Sequence, residues 1–299
     1  MKTNPLKVSP SFPPTHQTTQ PPNHQTMNTY PRLLSIAGSD CSGGAGIQAD
    51  IKTASACGVY AMTAVTAVVD ENTVGVTGIH SIPVPMVLGQ IRSCLDDIGA
   101  DAIKIGMLDS PDLIAAIADL LSSRYPSIPV VLDPVMVAQS GDPLVPPEAA
   151  DALRTLLVPR ATVITPNLPE ASVLLDRPIA APADVPPAAR DLCALGCRAT
   201  LVKGGHFEDG ATSDDVLYDA TTSTLHSYPA PRIPTRNNHG TGCTLSSAIA
   251  SHIALDHPLP EAVALAKDYI TSAIRAGADY QIGHGHGPVH HFWRLWTAP

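Results

Sequence analysis

The stretch LLSIAGSDCSGGAGIQADIKTASAC, residues 33–57, sets the frame for the whole chain. An apolar run suited to a strand (33–37) passes through a glycine-rich turn into a small-residue helical pattern (46–57). Glycines in such a turn permit positive φ and let the backbone approach a ligand closely. The spacing is neither the G-x-G-x-x-G of a dinucleotide fingerprint nor the G-x-x-x-x-G-K-[ST] of a phosphate loop. On its own the turn reads equally well as a tight strand–helix connection. Asp50, one turn into the helix, reads as a helix-face carboxylate or as a substrate ligand.

The same unit recurs downstream. Apolar runs at 61–69, 102–105, 130–132, 162–164 and 200–202 alternate with helical patterns at 84–98, 111–121, 147–157, 168–175 and 187–195. Strand followed by helix, repeated, implies parallel strands joined by right-handed crossovers. Residues 215–218 and 224–227 read as a hairpin leading to a further segment at 232–235, and two helices, 241–255 and 260–280, follow. The expected fold class is α/β, a three-layer α/β/α arrangement with a mostly parallel central sheet. Ligands then bind outside the carboxyl ends of the strands.

Composition agrees with this architecture. Hydrophobic residues make up 44% of the 299-residue chain and aromatics 4%, so Ala, Val, Leu and Ile must build the core, as in a covered parallel sheet. Eighteen Lys and Arg stand against 27 Asp and Glu, a net charge of −9, which argues against nucleic acid and anionic membrane as partners. Residues 1–30, rich in Pro, Thr, Gln and Asn, read as a disordered N-terminal extension, and residues 31–299 as one domain. The extension lacks acidic residues but also lacks Arg and any amphipathic stretch, so the expected location is cytoplasmic, with organellar import as the alternative. Of six cysteines, five read as buried small hydrophobes in a reducing compartment.

The sixth, Cys243, lies in Asn238-His239-Gly240-Thr241-Gly242-Cys243-Thr244. Glycines followed by a small-residue helix present several backbone N–H groups at a helix N-terminus, where they and the helix dipole favour an anion. Gly240, Thr241 and Gly242 are therefore a candidate anion hole. The same dipole is expected to lower the Cys243 thiol pKa, and a thiolate there could accept the proton of a substrate hydroxyl. The bland reading is a small buried helix residue. Lys203 follows the strand 200–202 and is placed to meet nucleotide phosphates. Asn167 and Glu170 follow 162–164, three residues apart, and Asp133 follows 130–132; together they suit magnesium held through water.

The chain resembles the hydroxymethylpyrimidine/phosphomethylpyrimidine kinases of thiamine biosynthesis, within the ribokinase-like superfamily. The matching segments run in order from residue 33 to residue 292: GSD-SGGAGIQADIKT (38–53), KIGML (104–108), VLDPVM (131–136), SGDPL (140–144), ITPNLPEA (164–171), KGGH (203–206), HGTGCT (239–244) and GHGHGPVHHF (283–292). The resemblance implies two successive phosphoryl transfers from ATP with magnesium, Cys243 as catalytic base, and a homodimer. It implies substrate contacts at Gly38, Asp50, Val69, Glu71, Met107 and Val135, magnesium–phosphate contacts at Asn167 and Glu170, and an ATP contact at Lys203. Three departures stand out: Glu71 where the family has Gln, Cys41 where it has Pro, and Gln139 where it has Lys. An ionised Glu71 only accepts hydrogen bonds, whereas an amide also donates. A pyridoxal-type vitamin kinase is the alternative within the superfamily, and a non-catalytic binding protein on the same fold the alternative outside it. The presence of Cys243, Lys203, Asp133 and Glu170 argues for chemistry. His284, His286, His290 and His291 read as structural rather than as metal ligands.

Overall fold

The computed structural model describes residues 29–136, 144, 146–205, 207 and 211–296. Residues 1–28, Gln139, the SGDP stretch at 140–143 and His206, on which some sequence expectations fall, lie outside these.

The strands are β1 (Arg32–Ala37), β2 (Tyr60–Val65), β3 (Ala67–Glu71), β4 (Val76–Ser81), β5 (Ala102–Ile105), β6 (Val130–Leu132), β7 (Val163–Ile164), β8 (Ala199–Val202), β9 (Asp215–Asp219) and β10 (Thr224–Tyr228). Eight of them form one sheet in the order β10-β9-β8-β7-β6-β5-β1-β2. Every pair from β2 across to β8 is parallel, and β9 and β10 close the edge antiparallel. Both faces are covered, so strand residues are apolar without a break, and alternation only sorts them between two cores. Leu34, Ile36, Ile103, Ile105, Val130, Leu132 and Val202 face α2 (Val84–Asp97), α3 (Pro111–Arg124), α4 (Pro147–Ala152), α5 (Leu168–Leu175) and α6 (Val185–Cys193). Leu33, Ala102, Val131, Val163 and Leu201 face α1 (Gly46–Ala56), α7 (Thr241–Ala254) and α8 (Leu259–Gly277). The expected α/β/α layers and hairpin are present.

Two expectations, over 61–69 and 147–157, are corrected, and the segment 232–235 takes a definite form. The run 61–69 is not one strand: the chain turns at buried Thr66, whose N–H donates to Ala37 O and whose Oγ1 donates to Met107 O, both at 3.0 Å. β3 thereby leaves the sheet and pairs with β4 as a two-stranded flap. Residues 232–235 form no strand; Pro231 and Pro234 lack the N–H a ladder needs, and only an isolated Thr212–Pro231 bridge forms. The helix expected over 147–157 leaves α-geometry after Ala152, continuing as a π-helical turn (Leu153–Leu157) ahead of Pro159. Among the described residues no helix is long and apolar enough to cross a membrane.

Candidate active site

The loops after β1, β5, β6, β7 and β8 open at one end of the parallel sheet into a cavity of about 720 Å³ that also takes in the flap and the N-terminus of α7. It has three regions. At one end Val69 and Met107, with Val135 and Leu144 packed on them, make a small apolar wall beside Gly38, Glu71 and His239. At the far end Asp215, Ala230, Ile233, Lys267 and Ile270 line a second recess. Between them lie Asp133, Asn167, Glu170, Lys203 and Gly240 to Cys243.

The turn before α7 is held by the first glycine loop. Gly240 has φ +77°, and a Cβ there would meet Gly44 O at 1.8 Å, so the two glycine turns interlock through backbone alone. Asp40 ties the same joint. Its Oδ1 accepts from Ser42 N (2.7 Å), and its Oδ2 accepts from Gly44 N (2.9 Å), Ala45 N (2.7 Å) and His239 Nε2 (2.8 Å). Burial alone would raise the Asp40 carboxyl, but these donors, His239 first, hold it well below the usual range. A third strand of this joint is residues 285–287: His286 N donates to Thr73 O on the flap (2.7 Å), His239 N to Gly287 O (3.0 Å), and the His286 ring meets Asn238 Oδ1 at 2.8 Å. His291 meets Thr244 Oγ1 at 3.1 Å, and His290 packs edge-on against Tyr280 and Trp296. These partners fit the structural reading of the C-terminal histidines.

Cys243 sits on the first turn of α7, half-buried. The helix leaves its first amides without intrahelical partners; Thr241 N is met by Asn238 O (3.3 Å), so Gly240, Gly242 and Cys243 are the candidate donors for an anion. The thiol itself departs from expectation. Burial pushes it up to about 11, and the Asp50 and Asp133 charges add to this; the Lys104 cation and the Gly46 N–H oppose it. Desolvation, invisible in the motif, outweighs the helix terminus.

The central cluster is built from strand ends. Lys203 Nζ donates to Asp133 Oδ1 at 2.9 Å and lies 3.8 Å from Glu170 Oε2. Asp133 also accepts from Thr165 Oγ1 (3.0 Å) and Ser246 Oγ (3.3 Å). Burial favours a neutral Asp133, but Lys203 and Lys104 outweigh it and hold the carboxyl below its ordinary value. Glu170 is pushed the other way, to about 7, by burial and by Asp133, with Lys203 opposing. Asn167 and Glu170 close a capping box on α5: Asn167 Oδ1 accepts from Glu170 N and Glu170 Oε2 from Asn167 N, both at 2.8 Å.

Gly38, Val69, Glu71, Met107 and Val135 all line the cavity, and so do Asp133, Asn167, Glu170, Lys203, Gly240, Thr241, Gly242 and Cys243. Asp50 does not. Its carboxylate is fully buried beneath the floor, bound by Lys104, Ser35 and Ser247. Cys41 is exposed, not buried: its Sγ–H donates to Glu71 O (3.1 Å) at the flap. Sequence reasoning missed Asp40, His239, Lys104 and the pair of Lys267 with Asp215, joined at 2.7 Å. A Lys inside the apolar run AIKI was the one visible signal for Lys104.

A mostly parallel, doubly covered sheet with an anion hole at a helix N-terminus defines a ribokinase-like small-molecule kinase. The chain belongs to the phosphomethylpyrimidine kinase family, whose pattern matches residues 40–290. It is 49% identical over 264 residues to the hydroxymethylpyrimidine/phosphomethylpyrimidine kinase of Rhizobium meliloti, covering 88% of this chain and 97% of that one. Among solved structures it is similar to an ADP complex of Bacillus subtilis pyridoxal kinase (TM-score 0.81, 38% identity, 89% of this chain and 100% of that one). It is also similar to the phosphomethylpyrimidine kinase of Clostridium difficile (TM-score 0.72, 40% identity, 81% and 99%).

Proposed function

We propose that this enzyme transfers the γ-phosphoryl group of ATP to the hydroxyl of 4-amino-5-hydroxymethyl-2-methylpyrimidine, and a second phosphoryl group to the resulting monophosphate, for thiamine biosynthesis. The observation that carries this is the position of Cys243 and its anion hole between an apolar, carboxylate-bearing recess and the Lys203–Asp133–Glu170 cluster.

The pyrimidine lies against Val69, Met107 and Val135, with Glu71 reading its amino edge and Gly38 leaving room for the ring. ATP occupies the far recess, and the ADP complex of the Bacillus subtilis relative supports a nucleotide as the phosphoryl donor. The amides of Gly240, Gly242 and Cys243 stabilise the charge on the transferred group, which is most of what phosphoryl transfer asks of a protein. Cys243 takes the hydroxyl proton as the substrate oxygen bonds to phosphorus and the bond to ADP breaks. In a loose transition state that proton leaves late, so a thiol of high pKa is a serviceable acceptor once ionised. The oxygen-rich set Asp133, Glu170 and Asn167 fits magnesium through water, since two neighbouring carboxylates share one cation, Lys203. The ion would neutralise phosphate charge there.

A pyridoxal-type activity is the second reading, favoured by the likeness to pyridoxal kinase. A homodimer belongs to the same proposal: Val68, Val74, Ile79 and Met86 on and beside the flap are 52%, 67%, 40% and 61% exposed, an apolar surface suited to a second copy. Light scattering on a size-exclusion column tests it. For activity, the test is ATP-dependent phosphorylation of the pyrimidine alcohol, its monophosphate and pyridoxal by wild type and Cys243→Ala. Wild type should convert both pyrimidines, and Cys243→Ala should fold normally with turnover down by about 10²–10⁴. Conversion of pyridoxal alone would move the protein to the second reading, and wild-type turnover by Cys243→Ala would remove the base.

A further inference from the structure

The loop from Gly38 to Gly46 lies between the two parts that a phosphoryl transfer must bring into register. On one side it carries the flap: Ser39 N donates to Ala67 O (2.9 Å), Val69 N to Ser39 Oγ (3.2 Å) and Glu71 N to Cys41 Sγ (3.4 Å). Val69 and Glu71 line the recess proposed for the pyrimidine. On the other side the loop meets the turn before α7. A Cβ at Gly44 would overlap the His239 ring, and one at Gly240 would overlap Gly44 O, so backbone and ring fit each other closely.

Asp40 stands where these contacts cross. Its buried carboxylate offers about four acceptor sites and meets four N–H donors. Three come from its own loop, Ser42, Gly44 and Ala45, and the fourth is His239 Nε2 from the turn before α7, all at 2.7–2.9 Å. Filled in this way, the carboxylate has no site left for a substrate or a cation, so its work is internal. An ionised carboxylate only accepts, which places the His239 ring proton on Nε2. His239 immediately precedes Gly240, and its own N–H donates to Gly287 O at 3.0 Å. The binding regions on either side keep anchors of their own, Thr66 for the flap and the Lys267–Asp215 pair for the far recess. Loss of Asp40 therefore leaves both recesses in place and frees only their register with the start of α7.

We propose that Asp40 is a positioning residue for phosphoryl transfer: through His239 it sets the distance between the anion-binding amides at the start of α7 and the hydroxyl held against the flap. It acts through His239 and not on the reacting atoms, and neither residue gains or loses a proton in the step. Near-attack geometry tolerates little error, and a displacement of about 1 Å can cost about 10²-fold in rate. The inference rests on reading Gly240, Gly242 and Cys243 as the anion hole.

The experiment sets transition-state binding against ground-state binding. Titration calorimetry on the full chain measures the affinity for ADP alone and for ADP with aluminium fluoride, magnesium and the pyrimidine alcohol, beside turnover. Asp40→Asn keeps the shape but turns one acceptor oxygen into a donor facing an N–H. It should lower kcat about 10²-fold while KM for the pyrimidine and the affinity for ADP stay within about threefold. The extra affinity of the fluoride complex should fall by the factor lost from kcat/KM. His239→Asn should lower kcat and fluoride-complex affinity in the same direction. His239→Gln, whose amide N–H can reach Asp40 from the place of Nε2, should restore most of both. Near-wild-type turnover in Asp40→Asn would overturn the proposal. So would KM, ADP affinity and fluoride-complex affinity all worsening together, which is what a general loosening of the fold gives. If Asp40→Asn fails to fold, the contrast between His239→Asn and His239→Gln decides alone, and equal activities in those two overturn it. A wild type that binds ADP no more tightly with aluminium fluoride than without would mean that the anion-hole reading has failed, and with it this role.

Discussion

At Glu71 a carboxylate borders the recess proposed for the substrate, its Oε1 4.0 Å from His239 Nε2, and it can only accept hydrogen bonds while ionised. Its natural complement is an aminopyrimidine protonated on the ring. The KM of wild type for the pyrimidine should therefore rise as pH increases and the ring loses its proton, and Glu71→Gln should flatten that dependence; parallel profiles for the two enzymes would refute the pairing. Cys243 adds a second pH signature. With a thiol pushed up to about 11, the thiolate is scarce at neutral pH, so kcat/KM should climb about tenfold per pH unit from pH 7 towards 9. A plateau at pH 7 would mean the thiol ionises far more easily. Much of the site was legible at this scale, because Gly240, Lys203, Asp133 and Glu170 each follow a strand or open a helix, and punctuation of that kind is local. The partnerships were not. Lys104 meets Asp50 across 54 residues and His239 meets Asp40 across 199, and neither distance leaves a mark in a sequence window.

Helix α5 begins with a capping box whose acid is also a site residue, and the two roles pull against each other. Glu170 has an ordinary pKa of 4.5 and is pushed to about 7 in the fold. The folded state thus holds the proton more tightly than the unfolded chain: the stability this contributes is complete below about 4.5 and is lost as pH rises through about 7. Glu170→Gln keeps an acceptor for Asn167 N but never ionises. Its melting temperature should match wild type near pH 4.5 and exceed it at pH 8, with turnover lowered; equal melting curves at pH 8 would show that the ionised acid costs nothing. At the start of α7, Gly240→Ala places a methyl against Gly44 O in a left-handed turn, so both glycine loops must part. Loss of turnover beyond 100-fold is expected, together with a lower melting temperature, and near-normal activity would argue against the interlock. The helices themselves were readable from periodicity with their ends within three residues, except that the expected 147–157 leaves α-geometry after Ala152. The flap was not, since β4 is largely exposed and carries Gly78 and His80 in place of an apolar alternation, and nothing local marks Thr66 as the point where the chain leaves the sheet.

Across the whole molecule the cavity is held at its two ends by different parts of the chain. At the end proposed for the nucleotide, Lys267 on α8 donates to Asp215 Oδ2 (2.7 Å) and Ser213 O (2.6 Å), and Asp215 Oδ1 accepts from Gly204 N (3.0 Å), so one helix fixes the loop that carries Lys203. Lys267→Met should raise KM for ATP about tenfold while leaving KM for the pyrimidine within about twofold, as expected if removing one member of a buried pair is felt locally. Equal changes in both would mean the ends are not separable. At the other end the flap and the Asn238–Gly240 turn are joined through residues 285–287, which come after every other segment that builds the site. A chain made from its N-terminus on the ribosome therefore presents its whole sheet, Cys243 and the far recess before the clasp that joins the flap to the Asn238–Gly240 turn has been synthesised. Competence to transfer phosphate should await the synthesis of residues 285–287, and a nascent chain stalled short of residue 283 should be folded over most of its preceding length yet silent.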